Sequence, residues 1–186
     1  MHRRSVIFSV VWVWLMGGAA LAGGPQVITL PSGADTLIVP ADSPVRFKDF
    51  GSNEDEVAEL SGKVLVTGTY YLGDNQYNDG PDYDLTLYLV PDPAIAARLP
   101  YYKRRGRAPV IYVTNAKAFA DAVMSKTALT NLMKDRKRVA TGHIALWVDQ
   151  FTSDLECDSP NDAARFVALD ERHVAVALGD APAFPC

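Results

Sequence analysis

Five apolar runs with the character of β-strands dominate the chain from Leu60 onward. Each run is rich in β-branched and aromatic residues and is bounded by turn residues. In chain order the runs are Lys63 to Leu72, Asp84 to Val90, Pro109 to Thr114, Gly142 to Gln150 and Ala164 to Leu169. A sixth run, His173 to Leu178, is predicted to follow through a hairpin at Asp170 to Arg172. The pattern predicts a β-rich α+β domain of five to six strands.

Helical spacing of apolar residues predicts one helix between the third and fourth strands. Asn115 is a favourable N-cap residue at its start, and the run Ser125 to Asn131 is a candidate break. The apolar positions of this helix are Ala116, Phe119, Val123, Leu132 and Met133. A shorter helical turn is predicted over Pro93 to Leu99, with Asp92 as its cap and Pro100 after its end.

The order strand, strand, strand, helix, strand, strand is similar to that of an OB-fold, a small, partly open barrel. Gly68 supports this prediction, because it interrupts the longest strand at a point where a closing barrel must bend. We therefore predict an OB-fold-like barrel over residues 60–186, preceded by an irregular N-terminal extension over residues 23–59. An open antiparallel sheet with one packed helix has the same linear order and remains the alternative.

The first 22 residues have the three parts of an export signal. Arg3 and Arg4 supply a positive end, Val6 to Met16 an apolar segment, and Ala20 to Ala22 a cleavage site before Gly23. The alternative is a retained membrane anchor, but the apolar segment is shorter than the roughly 20 residues that cross a bilayer. We therefore predict a cleaved signal peptide over residues 1–22 and a periplasmic or secreted protein without a stable membrane anchor.

Two cysteines, Cys157 and Cys186, are the only ones in the chain. An oxidising compartment favours a disulfide bond between them. Closing a loop of this length contributes roughly 3.5 kcal/mol in the chain-entropy model. The alternative, a redox or metal-binding thiol pair, lacks the C-x-x-C spacing and the histidines that such sites use.

The acidic composition argues against nucleic acid as a partner. Without Arg3 and Arg4, the chain carries 16 Lys and Arg against 22 Asp and Glu, a net charge of −6. Phosphate backbones repel such a chain unless its basic residues are concentrated on one surface.

A tyrosine-rich loop joins the first and second predicted strands. Five of the eight tyrosines fall between Tyr70 and Tyr88, and the loop itself contains Tyr77 and Tyr83. Tyrosine combines a flat apolar face with a hydrogen-bonding hydroxyl, which suits sugars and protein surfaces. We predict that Tyr77 and Tyr83 bind a partner. The alternative for the other tyrosines is that Tyr70 or Tyr71 and Tyr88 alternate into the core as strand residues, which explains at least half of the cluster.

The same loop is rich in carboxylates and amides, which hard cations such as calcium prefer. Its spacing does not fit an EF-hand, since counting from Asp74 places Asp79 where glycine is required and Leu85 where glutamate is required. An irregular calcium site is an alternative, although turn formation explains the composition more simply. No metal ligand and no cofactor are predicted.

A basic segment over residues 101–107, here called the basic motif, stands out in this acidic chain. Its candidate binding residues are Tyr101, Tyr102, Lys103, Arg104, Arg105 and Arg107. Arginine side chains bind carboxylates and phosphates with paired hydrogen bonds, so the motif is predicted to hold an anion or an acidic partner. The alternative is a solvated loop whose charge balances the acidic loops around it.

Catalytic motifs are weak, which leaves enzymatic activity uncertain but not favoured. The chain lacks G-x-S-x-G, H-E-x-x-H, S-x-x-K and a phosphate-binding glycine loop. The sequence therefore predicts an exported, non-enzymatic binding protein that engages a protein partner, as an inhibitor or adaptor. The alternatives are a module that binds a saccharide or calcium, and a cell-envelope hydrolase using His143, Asp149 or Asp154. Oligomeric state stays open.

Overall fold

The computed structural model describes residues 24–51, 57–74, 85–108, 110–134, 138–155, 162–170, 176–180 and 182. Within these residues the protein is β-rich, as predicted, with three short helices. The predicted signal peptide, Tyr77, Tyr83, Cys157 and Cys186 lie outside the described residues. Their roles stay predictions.

Eleven strands and three helices occur in the described residues. In chain order they are β1 (Gln26–Thr29), β2 (Thr36–Val39), β3 (Arg46–Phe50), β4 (Ala58–Ser61), β5 (Val64–Asp74), β6 (Leu85–Pro91), α1 (Pro93–Ala96), β7 (Tyr101–Tyr102), β8 (Ile111–Val113), α2 (Ala116–Val123), α3 (Lys126–Leu132), β9 (Arg138–Ser153), β10 (Asp162–Leu169) and β11 (Ala177–Asp180). None of the three helices has the length and apolar character needed to span a bilayer.

Five strands close into a ring. Their spatial order is β5, β6, β8, β10 and β9, and β9 pairs again with β5. Neighbouring strands are antiparallel except for β8 and β10, which run parallel. The five ring strands are those predicted from the sequence. In the order of the ring they are the first, second, third, fifth and fourth along the chain.

Apolar side chains on alternate positions of these strands fill the ring. Residues facing inward include Val66, Leu89, Ile111 and Leu146, all of them buried. Helix α2 adds Phe119, whose ring centre lies 5.2 Å from that of Tyr70 and 5.5 Å from that of Phe166. Helix α2 is therefore joined to the ring through its apolar face.

Gly68, predicted as a bend, lies where the backbones of two ring strands approach closely. It pairs with Pro91 of β6 and with Ile144 of β9. A Cβ atom at this position would overlap the carbonyl oxygen of Val90 and lie 2.9 Å from the Cα atom of Pro91. Because backbone atoms occupy that space, glycine is required for the close approach.

Strand β9 is longer than its predicted range of 142–150 because four other strands pair with it. Strands β5 and β4 pair along one edge, and β10 and β11 along the other. At Gln150 the backbone takes a φ of 50°, and the alternation of side chains shifts by one residue. Val148 and Phe151 are consequently both buried.

The sixth predicted strand is not the hairpin partner of β10, and this prediction is wrong. Strand β10 pairs with the second half of β9, whereas β11 pairs with the first four residues of β9, in the same antiparallel sense. The N–H of Asp170 continues the ladder by donating to the Ala145 carbonyl at 3.0 Å. The Trp147 indole also donates to the Asp170 carboxylate at 2.9 Å. Residues 171–175, which would complete the predicted hairpin, lie outside the described residues.

The described residues of the N-terminal segment are regular, which corrects the prediction of an irregular extension. Strands β1 and β2 form a hairpin that continues onto β7, and we call these three strands the small sheet. Strands β3 and β4 form a second hairpin that joins the ring sheet at β9. The strands are only four or five residues long, and their other partners, β7 and β9, are distant in sequence. A local pattern indicated a short strand at Gln26 to Leu30, but it could not reveal how these strands pair.

The single helix predicted after Asn115 is two helices. Helix α3 begins after Ser125, within the predicted break, and the Ser125 hydroxyl caps it by accepting the Ala128 N–H at 3.2 Å. Asn115 does not cap α2, contrary to prediction. Its side-chain amide instead accepts the Phe166 N–H at 2.7 Å and donates to the Phe166 carbonyl at 3.0 Å, which extends the pairing of β8 with β10.

Candidate functional site

The basic motif forms a tight turn at the edge of the small sheet. Tyr101 and Tyr102 pair with β2, and the Lys103 N–H donates to the Thr36 carbonyl at 2.8 Å. The chain then reverses, and the backbones of Tyr102 and Gly106 exchange a pair of hydrogen bonds. Gly106 has a φ of 87°, a conformation that glycine adopts without steric cost.

The buried carboxylate of Asp35 binds the N–H groups of this turn. It accepts hydrogen bonds from the N–H groups of Thr36 at 2.6 Å, Arg104 at 3.0 Å and Arg105 at 3.3 Å. Burial acts to raise the pKa of Asp35, but these N–H groups together with the Arg104 charge lower it below its ordinary value. Successive backbone N–H groups in a turn are a common anion site, and here the anion belongs to the chain itself.

Arg107 binds the C-terminal end of α1. Its guanidinium donates to the carbonyl oxygens of Ala96 at 2.7 Å, Ala97 at 2.8 Å and Leu99 at 2.6 Å. The same group lies 4.4 Å from the centre of the Tyr101 ring. The side chain therefore caps carbonyls that a helix end leaves without partners.

Arg105 points into the contact between the small sheet and the ring. Its guanidinium lies 4.8 Å from the centre of the Tyr102 ring and 3.9 Å from the carboxylate of Asp162, and it donates to the Asp154 carbonyl. The buried Tyr102 hydroxyl donates to the Ser153 carbonyl at 2.9 Å, and the Ser153 hydroxyl donates to Asp162 at 2.6 Å. We call Tyr102, Arg105, Ser153 and Asp162 the junction cluster.

Most of the basic motif thus contacts groups of the same chain. Tyr102 is fully buried, which corrects its assignment to a contact surface. The Arg104 guanidinium donates to the Ala34 carbonyl at 2.6 Å, whereas Lys103 is exposed. The concentration of positive charge is visible in the sequence. The contacts with Asp35 and Asp162 are not, because both residues lie more than 50 positions from the motif along the chain. Binding of a partner by the exposed parts of the motif stays a prediction.

A second group of tyrosines lies on the outer face of the ring. Tyr71 on β5 lies opposite Tyr88 on β6, and Tyr88 lies opposite Tyr112 on β8. The ring centres of Tyr88 and Tyr112 are 6.0 Å apart. All three side chains are half-buried, and their backbones span roughly 10 Å across three adjacent strands. We call these three residues the tyrosine row.

The tyrosine row stands on a packed support. The strand neighbours Tyr70, Leu87, Leu89, Ile111 and Val113 point inward and are buried. The next cross-strand partners at the two ends of the row are Thr141 on β9 and Ala163 on β10, both with small side chains. The row is therefore a strip of aromatic side chains on a packed sheet, flanked at both ends by residues with small side chains.

His143 and Asp92 form a surface pair on the same outer face. His143 lies opposite Thr69, one outward position along β5 from Tyr71, and its Nε2 atom is 3.1 Å from the Asp92 carboxylate. Hydrogen bonds from Thr67 and His143 lower the pKa of Asp92 against a smaller opposing effect of burial. The His143 side chain is 63% exposed, so the pair is in contact with solvent.

The residues predicted for a hydrolase are not brought into one site. Asp149 is bound by Arg165 through two hydrogen bonds of 2.9 and 2.8 Å, which lower the pKa of Asp149. Asp149 lies six positions after His143 on strand β9, a distance of roughly 20 Å. Asp154 lies at the junction cluster, where its carbonyl accepts from Arg105.

Sequence reasoning did not single out Tyr71 or Tyr112 as surface residues, and its placement of Tyr88 in the core is wrong, because Tyr88 is half-buried on the outer face. A signal was present for each, because side chains alternate between the two faces of a strand. Only one of the adjacent Tyr70 and Tyr71 can face the core, and Tyr112 stands between the apolar residues Ile111 and Val113. What the sequence lacked was the strand register, which places the three tyrosines side by side.

Among the described residues, no group of three or more His, Cys, Asp or Glu side chains is placed to hold a metal ion. The loop considered for calcium, residues 75–84, lies outside them. Comparison with protein-family models, with curated proteins and with solved structures finds no match for this chain. Its own geometry is therefore the basis for a functional proposal.

Proposed function

We propose that this chain is an exported, non-enzymatic binding protein that engages a protein partner through the tyrosine row. The observation that carries the proposal is the alignment of Tyr71, Tyr88 and Tyr112 on adjacent strands of a closed ring. Tyrosine is enriched at the energetic centres of protein interfaces, where it supplies a large contact area. Because the strands beneath are packed, these side chains lose little conformational freedom on binding.

The shape of this surface favours a protein over a small ligand. Small molecules bind in concave pockets that bury most of their surface. The outer face of a closed ring is convex, and the tyrosines project from it between Thr141 and Ala163. Such a strip makes shallow contact over a broad area, which is the geometry of a protein interface.

We also propose that the ring is an OB-type barrel. The closed order of β5, β6, β8, β10 and β9, with helices between the third and fourth of these along the chain, supports the assignment. In OB-folds the face of the second and third strands is a common ligand surface. Tyr88 and Tyr112 lie on the corresponding strands, β6 and β8.

Export from the cytoplasm is part of the proposal, and it rests on the N-terminal signal and the two cysteines. Nucleic acid is not proposed as a partner, because the net charge after signal removal is −6. The contacts of Arg104, Arg105 and Arg107 with the chain's own groups further reduce the cation available to a phosphate backbone. N-terminal sequencing of the exported protein tests the cleavage site and is expected to begin at Gly23.

The proposal is tested by affinity capture from an envelope extract of the source organism, followed by binding measurements with the protein captured. Replacing Tyr88 and Tyr112 together by Ala is expected to weaken binding at least tenfold, since interface tyrosines commonly contribute more than 1 kcal/mol each. The double change to Phe keeps both rings and is expected to retain most of the affinity. Val27→Ala is the matched control, because Val27 is an exposed apolar residue of the small sheet.

Unchanged affinity of the Tyr88→Ala, Tyr112→Ala variant would refute the tyrosine row as the contact surface. Equal losses for this variant and for Val27→Ala would indicate nonspecific apolar adsorption. Binding to a glycan array that depends on the same tyrosines, without a stoichiometric protein partner, would replace the protein by a saccharide. Far-UV circular dichroism and the unfolding midpoint of each variant establish that the fold is retained.

A further inference from the structure

The junction cluster places an acidic side chain in the interior where three parts of the fold meet. Asp162 begins β10, Ser153 ends β9, and Arg105 belongs to the turn that follows β7 of the small sheet. Asp162 is 3% exposed, and Ser153 and Tyr102 are fully buried. The cluster therefore joins the small sheet to the ring through polar groups rather than apolar packing alone.

The charge of Asp162 is incompletely compensated within the described residues. Ser153 donates one hydrogen bond to it at 2.6 Å, and the nearest cation, Arg105, approaches to 3.9 Å without forming a hydrogen bond. The Nε and Nη2 atoms of Arg105 are buried and have no hydrogen-bond partner. A direct two-bond pairing of guanidinium and carboxylate would satisfy both groups, but this geometry does not form it.

The other ionisable groups that face this site come from two elements. Tyr102 on β7 lies under Arg105, and burial raises the pKa of Tyr102 to about 12, so its hydroxyl stays protonated near neutral pH. Asp154, after the end of β9, contributes its backbone carbonyl to Arg105 and a negative charge near Tyr102. Asp162 is the group of the junction cluster whose pKa, raised by burial to about 6, lies between pH 5 and pH 7.

We propose that the junction cluster is a pH-responsive latch, in which protonation of Asp162 holds the small sheet against the ring and ionisation of Asp162 loosens that contact. A neutral carboxyl group tolerates burial, whereas a buried carboxylate requires fuller pairing than the 3.9 Å approach of Arg105 provides. When Asp162 is neutral, Arg105 still contacts the Tyr102 ring and donates to the Asp154 carbonyl, and its side chain is partly exposed to solvent.

The direction of the response follows from proton linkage. Burial raises the pKa of Asp162 to about 6, against opposing effects of Ser153 and Arg105, whereas the released side chain has its ordinary value of 3.8. The latched state binds the proton more tightly, so acid favours it. Lowering the pH from 7 to 5 shifts the equilibrium toward the latched state about tenfold.

Asp35, which binds the same turn, responds in the opposite direction but outside this range. Its pKa is lowered in the folded protein, so its contribution is present above about pH 4 and is lost only below that value. Asp35 therefore does not contribute to a response between pH 5 and pH 7.

Hydrogen exchange of the backbone amides in the turn tests the latch. Arg105 anchors this turn to the ring, so loosening of the junction is expected to open the turn, in which the N–H groups of Lys103, Arg104 and Arg105 donate to Thr36 and Asp35. After correction for intrinsic exchange rates, their opening constants are expected to fall about tenfold between pH 7 and pH 5. Amides of β5 inside the ring are expected to stay constant and serve as an internal reference.

Variants and a direct titration separate the latch from general stability. Asp162→Asn is expected to abolish the pH dependence, whereas Asp121→Asn, at an exposed ion pair of α2, is expected to retain it. Ser153→Ala removes a bond to the carboxylate and is expected to move the midpoint of the response to higher pH. Should Asp162→Asn fail to fold, the carboxyl carbon of Asp162 in the unaltered protein is titrated by NMR.

Two results would overturn the proposal. One is an opening constant of the turn amides that does not change between pH 5 and pH 7. The other is an Asp162 carboxyl group that titrates near 4. A midpoint near 6 together with the tenfold change in opening supports the latch, whether or not the tyrosine row binds a partner.

Discussion

Removal of the Asp35 carboxylate should destabilise the protein more than an ordinary surface change, because this carboxylate organises the basic motif. Asp35→Ala deletes the acceptor of three backbone N–H groups, at distances of 2.6 to 3.3 Å, in a buried position. Hydrogen bonds to a charged group contribute about 1.5–3 kcal/mol, and the opened turn recovers part of this by admitting water. We expect the free energy of unfolding to fall by about 3 kcal/mol.

Urea unfolding followed by fluorescence provides the assay. Of the three tryptophans, Trp12 and Trp14 lie in the predicted signal peptide, so Trp147 is the only tryptophan of residues 23–186. A loss of about 3 kcal/mol corresponds to a decrease of roughly 6–12 °C in Tm for a domain of this size. Asp35→Asn, which keeps one acceptor oxygen but no charge, should lose about half as much.

The matched control is Asp42→Ala, at an exposed ion pair with Arg98. Exposed pairs contribute little, so this change should stay within about 0.5 kcal/mol. The pKa of Asp35 is lowered in the folded state, so its advantage is present near neutral pH and disappears as the pH falls through that value. A loss below 1 kcal/mol for Asp35→Ala, or a loss that persists unchanged at pH 2, would refute this account of the basic motif.

Two further substitutions test how the ring closes. Gly68→Ala places a Cβ atom against the backbone of Val90 and Pro91, so we expect a loss of about 3 kcal/mol in urea unfolding, and a loss below 1 kcal/mol would contradict the tight approach. Asn115→Ala removes both hydrogen bonds to the Phe166 backbone, so we expect a loss of about 1–2 kcal/mol. Faster amide exchange at Phe166 should accompany it, and unaltered protection there would show that Asn115 does not extend the strand pairing.

The ring strands and their order were predictable because each carries a strong local signal. Runs such as Lys63 to Leu72 and Gly142 to Gln150 are rich in β-branched and aromatic residues and are bounded by turn residues, which is typical of strands. The position of Gly68 predicted a bend in the longest run, whereas the close approach to Val90 and Pro91 emerged only from the structure. These features depend on residues close together in the chain.

The hairpins of the N-terminal segment were not predictable in the same way. Thr36 to Val39 is too short to stand alone as a signal, and its pairing is completed by Tyr101 and Tyr102, more than 60 residues later. Asp170 was predicted as a turn residue because of its residue type. Its N–H instead donates to the distant Ala145 carbonyl and extends the strand pairing. In each case a distant partner outweighs the local preference.

The sequence by itself determined the β-rich class, the five ring strands, the helical segment between the third and fourth, and the residue types available for binding. Only the tertiary structure decided which of those residues face solvent. It directs Tyr102 inward and Tyr71 outward, and it brings Asp35 and Asp162 against the basic motif. The physical reason is that periodicity and residue type are properties of neighbouring positions. Burial and charge pairing depend instead on register and on contacts between segments far apart in the chain.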